Sequence, residues 1–460
     1  MLSSWPKHII TFLIALAVSL PTTASWGQLQ NSTIKPKVNS PLSRFGLGDP
    51  LPQYFAASAG MGGLGTAWRD PFHLNLQNPA ALASLQATAF EGGLYLKNSQ
   101  LSSADSSDNI WGGNLQYLAL GFPLRNAVNR TLDRESDAWN AGMAFSLSPL
   151  TQVGYDLLLR DRSSPGVALS TNSLKGSGGL TKFGCATGGR YQGFSFGAEV
   201  GFVFGKIINS RLVFFDSLPG ALQTEFLDDL SVRATTFTFG AQYAYNFIET
   251  DKNGDEVPTG KRVIAGAVAS LQSEMNTDGV QFTRRFLSSG SGTTLLSDTI
   301  RRATNVPGTA KLPGSLSLGL HYQDDNKLNL GIEYGMTSWS NYENSLKPEN
   351  LMDSYHLAVG AEYIPNFISY NNYWERVRYR LGFRYATDAR TLGGTQISGV
   401  ALTMGLGFPI ILPRQQVSFI NLALELGRSG VDGILEETYA RINLGFTLND
   451  NSWFFKRKFN

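Results

Sequence analysis

The residues best equipped for chemistry in this chain are charged side chains set among apolar ones: Glu199, Glu333, Glu362, Arg378, Arg380, Arg384, Glu425 and Arg441. In Arg378-Tyr379-Arg380-Leu381 the charges fall on every second residue, so an extended chain turns them to one face and the apolar groups to the other. Acids and bases fall on neighbouring segments. Two uses are open to them: cross-strand ion pairs that tie an interior together, or a polar track for ligand head groups. In either use an ionised group needs water or a partner.

Other reactive residue types form no competent site. Gly60-x-Gly62-x-x-Gly65 has the spacing of a dinucleotide fingerprint but follows no apolar strand and opens no βαβ unit. Asp251-Lys252-Asn253-Gly254-Asp255-Glu256 resembles part of a calcium loop, without the spaced ligands or distal Glu, and reads as a polar turn. His8, His73, His321 and His356 show no paired metal spacing, and no nucleophile–base pair stands out. One cysteine, Cys185, excludes an internal disulfide and a Cys-based zinc site, and reads as a small apolar strand residue. Neither catalysis nor a metal or cofactor is expected.

The elements that position the charges are strands. Leu316, Leu318, Leu320 and Tyr322 alternate with Ser315, Ser317, Gly319 and His321; after Asp324-Asp325-Asn326-Lys327 the pattern resumes at Leu328 and runs to Met336. Period two means strands with one apolar face. About 14 such strands are predicted, near 88–97, 114–123, 138–159, 175–188, 191–206, 232–247, 262–272, 313–322, 327–337, 354–364, 376–386, 396–408, 416–426 and 437–448. Segment 138–159 contains Pro149; splitting it there would give an odd number, whereas bacterial single-chain barrels use even ones. The pattern predicts an all-β transmembrane antiparallel barrel. Its wall carries Phe194, Phe196, Val200, Phe202 and Phe204, then Phe237, Phe239, Tyr243, Tyr245 and Phe247, and later Val377, Tyr379, Leu381, Phe383 and Tyr385. Exposed to water such a surface would aggregate; in lipid it is the required face. The connections 207–231 and 273–312 are predicted as long external loops. Those at Gly189-Arg190 and 323–326 are predicted as tight turns at the other end, where 124–137 and 248–261 are longer than expected.

Composition agrees. Only 16% of the 460 residues are charged, against about 25% in soluble domains, and aromatics reach 12%. The net charge of +2 comes with no basic stripe, so no nucleic-acid partner is expected. Residues 1–27 read as a secretory signal: Lys7, then an apolar Ile9 to Leu20 too short to span a bilayer, with cleavage expected between Ala24 and Gln28. An uncleaved anchor is the alternative. Signal and strands together point to a Gram-negative outer membrane, with its lipid as a partner. Residues 28–86 do not alternate and are rich in Gly, Ala, Pro and Asn. They precede the strands of 87–460. A 14-stranded lumen is too wide for wall side chains to fill, so this segment is expected to plug it.

Within it, Ser58-Ala59-Gly60-Met61-Gly62-Gly63-Leu64-Gly65-Thr66-Ala67-Trp68-Arg69-Asp70, followed by Asn78-Pro79-Ala80-Ala81, resembles the hatch of FadL-like outer-membrane transporters. Ser40-Pro41-Leu42-Ser43-Arg44-Phe45-Gly46-Leu47-Gly48-Asp49 and the ending Asn449 to Lys458 are similar to a Bacteroidota branch of such barrels. The resemblance implies a plug built on Gly60, Gly62, Gly63, Gly65, Asp70, Asn78, Pro79 and Ala80. It also implies a kink in the third strand, here at Pro149, that opens the wall sideways for an apolar ligand. The function it implies first is a channel for hydrophobic or amphipathic small molecules. The alternative is a non-catalytic barrel subunit of an outer-membrane assembly or protein-secretion complex, since FadL-like barrels serve type IX secretion. Fold alone does not choose between them.

Overall fold

The computed structural model describes residues 40–103, 106–125, 138–161, 169–215, 218, 220–250, 256–288, 294–412 and 416–450. The predicted signal, residues 28–39 of the predicted plug, the polar tract 251–255 and the chain from Asn451 onward lie outside them.

A two-residue strand β1 (Asp49–Pro50) precedes β2 (Thr88–Ser103), β3 (Ser107–Pro123), β4 (Trp139–Asp161), β5 (Ser170–Tyr191), β6 (Phe194–Phe215), β7 (Gln223–Thr250) and β8 (Glu256–Ser270). Then come β9 (Ser273–Ser288), β10 (Thr294–Leu312), β11 (Ser315–Asp324), β12 (Leu328–Thr337) and a second short strand, β13 (Glu343–Asn344). The chain ends with β14 (Ser354–Tyr363), β15 (Arg378–Leu392), β16 (Thr395–Leu412), β17 (Gln416–Val431) and β18 (Leu435–Asp450). Fourteen of these close an antiparallel barrel: β2 to β8, β11, β12 and β14 to β18, with β18 pairing back onto β2 from Leu435↔Ser103 to Asp450↔Thr88. An even number brings both ends of the wall to one rim, called here the terminal rim.

Alternation sets the faces. Leu316, Leu318 and Leu320 of β11 lie about half exposed on the outside, while His321 is buried inside. Tyr191, Phe194, Tyr243, Tyr245 and Trp374 are exposed near the terminal rim, as an aromatic girdle at a lipid interface requires. Among the described residues no helix is long and apolar enough to cross a membrane; strands do the crossing.

Five expectations are corrected. Within 273–312, β9 and β10 pair antiparallel from Leu312↔Ser273 to Thr294↔Ser288 rather than forming a loop. The pair leaves the barrel intact because β8 pairs directly with β11, from Ser270↔Ser315 to Lys261↔Asp324. Its strand β9 pairs instead with the upper half of β7, from Gln223↔Phe286 to Ala234↔Met275. The predicted loop 207–231 and turn region 248–261 are mostly strand, because β6 and β7 run far past their apolar stretches. The turn predicted at Gly189-Arg190 lies at Gln192-Gly193, with Gln192 at φ 52°. Val377, placed on the wall, is fully buried: it ends the short 3-10 turn Tyr373–Arg376 with its N–H on Trp374 O, and alternation starts only at Arg378.

Candidate functional site

Residues 40–87 lie inside the barrel and supply much of its core. Phe55, Met61, Leu64, Trp68, Leu74, Leu82 and Leu85 are at most 2% exposed. The chain there is irregular: two 3-10 turns (Pro41–Arg44 and Pro79–Ser84), one helical turn (Ala56–Ala59) and the two-residue β1. Its backbone polar groups therefore need partners outside regular structure. Asn78 supplies several. Its side-chain oxygen accepts from Ala80 N at 3.0 Å, capping the 3-10 turn, and its amide donates to Thr66 O at 2.6 Å. Pro79, at the first position of that turn, needs no donor partner.

The wall meets this segment with glycine. Gly142, Gly188, Gly197 and Gly240 are successive cross-strand partners on β4 to β7. A Cβ on any of them would overlap Leu82, Pro79 or Asn78. On the opposite wall Gly331, Gly360 and Gly382 form a second row on β12, β14 and β15, where a Cβ would overlap Leu64, Met61 or Gly62. Plug backbone lies directly on wall backbone. Gly62 and Gly63 take φ of 70° and 83°, a turn that side chains rarely adopt.

Ion pairs then lock the contact. Arg378 Nη1 is 2.5 Å from Asp70 Oδ2, and Arg380 Nε donates to Glu362 at 2.7 Å. Glu362 also accepts from Asn329 at 2.6 Å, and Arg380 donates to Asn421 at 2.7 Å. Asn421 reaches His73, whose Nδ1 lies 3.2 Å from Asp70. Burial opposes ionisation of Asp70, but Arg378, with His73, overrides it and holds the carboxyl well below the usual carboxylate range. Glu333 accepts from the backbone N–H of Gly65 and Thr66 at 2.9 and 2.8 Å. Nearer the outer end, Glu425 accepts from Tyr54 and Tyr439 at 2.5 and 2.7 Å, with Arg441 3.5 Å away. Lys182 donates to Glu199 at 2.7 Å. Arg384, between Ala358 and Ala401, faces the Tyr54 ring at 5.7 Å.

All the plug residues singled out in the sequence are thus buried against the wall, and the lumen charges divide between plug contacts and wall pairs. The wall glycines were not singled out. Their signal was present, since glycine inside a strand marks a close backbone approach. Tyr54 was also missed, and Arg69, quoted within the hatch segment, and His73, weighed only for metal, were given no role, as nothing in local spacing marks one.

Outward of the plug lies a cavity of about 470 Å³, lined by Tyr95, Lys97, His356, Arg384, Glu425 and Arg441, and roofed by residues 40–52. At Pro149 the wall changes. The β3–β4 ladder runs from Pro123↔Gly142 to Leu118↔Leu147 and goes no further, and β4 shifts register against β5 between Pro149 and Thr151. The break is filled from within. Strand β1 pairs with β4 (Asp49↔Gln152, Pro50↔Thr151), Leu51 N–H donates to Leu150 O at 2.8 Å, and Gln53 donates to Pro149 O at 2.9 Å. Arg390 clamps this strap, reaching Asp49 at 2.5 Å and Leu42 O at 2.7 Å. Among the described residues no group of three or more His, Cys, Asp or Glu is arranged to hold a metal ion.

The family model described as BamG matches residues 9–460. No protein of curated function matches the sequence. Among solved structures, the toluene transporter TodX of Pseudomonas putida is similar at 17% identity and a TM-score of 0.53, covering 88% of this chain and 99% of its own. The toluene transporter TbuX of Ralstonia pickettii is similar at 15% and 0.52, with 86% and 99% covered. A Pseudomonas aeruginosa FadL homologue is similar at 13% and 0.51, with 87% and 98% covered. At these identities the likeness is one of fold: a plugged barrel of the FadL type.

Proposed function

This chain belongs to the BamG family, and we propose that it serves as a non-catalytic barrel subunit of an outer-membrane assembly, docking a protein partner on its outer crown. One observation carries this. On β6 the outward apolar belt runs from Phe194 to Phe204 and ends at Lys206, which pairs with Asp229 at 2.6 Å. Phe215 lies nine residues on, roughly 30 Å farther along the strand. Around that level Leu158, Leu159, Phe215, Leu218, Leu222 and Ile300 are all more than a third exposed. Strand β7, at 28 residues, is about three times the length a membrane crossing needs. Apolar groups raised so far from lipid suit a protein contact. The close plug seat fits the same role, since a docking subunit needs no open lumen.

The test is the double change Leu218→Asp and Leu222→Asp. Both residues are exposed, so the barrel should fold with its unfolding temperature unchanged. Recovery of the native partner should fall roughly tenfold or more, as at an interface hot spot. Unchanged recovery would sink the crown as the docking face.

A specific observation also favours a second reading, a channel for hydrophobic or amphipathic small molecules: the 470 Å³ cavity abuts the ladder break beside Pro149. In this reading the strap is the door. Asp49 and Gln152 are direct partners, so Asp49→Cys with Gln152→Cys, in a Cys185→Ser background, would bolt it. Uptake of a hydrophobic probe such as toluene should then stop under oxidation and return with reductant. Uptake indifferent to the bolt would rule out passage at this point.

A further inference from the structure

Four arginines of the described chain are buried: Arg69, Arg378, Arg380 and Arg390. Three have a carboxylate on the guanidinium, namely Asp70, Glu362 and Asp49 respectively. Arg69 has none among the described residues. Its Nε donates to Gln242 Oε1 at 2.6 Å and its Nη2 to Ser195 Oγ at 3.0 Å, both neutral groups. Nη1 has no partner among the described residues and is not sealed from solvent. A buried cation without a counter-charge is costly, so the exception calls for a cause.

The surroundings raise the cost. Arg190, Ser195, Gln242 and Gly266 are successive cross-strand partners on β5 to β8, just inside the Gln192-Gly193 turn at the terminal rim. Arg262 shares the inward face of β8 with Ile264 and Gly266, and reaches the exposed Asp325. Burial, with the nearby positive charges of Arg190 and Arg262, pulls the Arg69 guanidinium down to about 9. It still carries its proton at neutral pH, and it is pressed by like charge.

We propose that Arg69 anchors an oxyanion-binding site at the terminal-rim end of the lumen, taking a carboxylate or phosphate group presented from that side. The guanidinium fork matches both groups in geometry and charge. Gln242 and Ser195 hold two of its nitrogens and leave the third without a partner among the described residues. The site faces the lumen and not the lipid wall, so its ligand arrives from water: either an acidic segment of a protein or free phosphate. The proposal stands apart from the crown and from the strap, and neither test above bears on it.

The experiment uses the full chain purified in detergent, with inorganic phosphate and hexaglutamate as probes. Thermal unfolding and titration calorimetry are run at constant ionic strength, with chloride as reference. The wild type should be stabilised saturably by at least one probe. Arg69→Gln should weaken that response roughly tenfold or more, the loss expected for one charged hydrogen bond. Gln242→Glu supplies the missing carboxylate internally. It should raise the unfolding midpoint without anion and abolish the response, which keeps the idea testable if Arg69→Gln misfolds. Tighter binding of hexaglutamate assigns the site to an acidic protein segment, and tighter binding of phosphate to the free ion. A wild type that responds to neither probe beyond chloride overturns the proposal, as does an Arg69→Gln or a Gln242→Glu variant that responds like wild type.

Discussion

Asp70→Ala should loosen the plug while the barrel wall stays closed. The change leaves Arg378 buried with its nearest anion gone, and the next, Glu362, is 3.9 Å away and already engaged by Arg380. Breaking one partner from a buried pair costs about 3–5 kcal/mol. The cost falls on the plug, because the wall keeps its own ladders on both sides of β15. Hydrogen exchange across residues 54–87 should therefore speed up, with the strands unaffected. Asp70→Leu combined with Arg378→Met should recover much of the protection, since replacing both members of a buried pair with apolar groups is often neutral or better. Slow exchange in Asp70→Ala would mean that packing alone seats the plug.

The second large effect is steric. Gly382→Val and Gly360→Val should each push the plug off the wall. A Cβ at Gly382 overlaps the Gly62 nitrogen and the Met61 carbonyl carbon, and one at Gly360 overlaps the Met61 carbonyl oxygen. These are backbone atoms, which do not swing aside as a side-chain tip does. Overpacking costs typically 1–3 kcal/mol and more where relaxation is blocked, so these sites should reach or exceed about 3 kcal/mol. Gly189 is the matched control: it lies in β5 with nothing near its missing Cβ, and Gly189→Val should be silent. Cleavage of the plug by added protease reports the result. Equal resistance in all three variants would contradict the close seat described above.

How far the sequence carried depends on which physics left a mark. Lipid demands an unbroken apolar face, so β11 and β12 were legible almost residue by residue, as was the number of wall strands. The plug was legible because its glycines, Asp70 and Asn78-Pro79 cluster in a stretch without alternation. The crown was not. Above the lipid both faces of β6, β7, β9 and β10 meet water or one another, and Gln281-Phe282-Thr283-Arg284-Arg285-Phe286 carries no clean period two. Residues 207–231 and 273–312 therefore read as loop although ladders hold them. Val377 passed as wall because its type suits the pattern; only the turn before it breaks the period. The match between plug and wall rows, such as Pro79 on Gly188, Gly197 and Gly240, joins residues more than 100 apart and leaves no local trace. The same holds for Arg390 on Asp49 and for the strap across the break at Pro149.

A barrel that works as a docked subunit with its lumen closed should leave the membrane with its partner attached. The most direct test is to isolate the protein from its native outer membrane in mild detergent and identify co-purifying proteins and small molecules in the same sample by mass spectrometry. A docked subunit brings a stoichiometric protein partner, lost with the Leu218→Asp and Leu222→Asp change, and no enriched apolar ligand. A monomer carrying an enriched hydrophobic small molecule would contradict that role and make the cavity beside Pro149 the functional site.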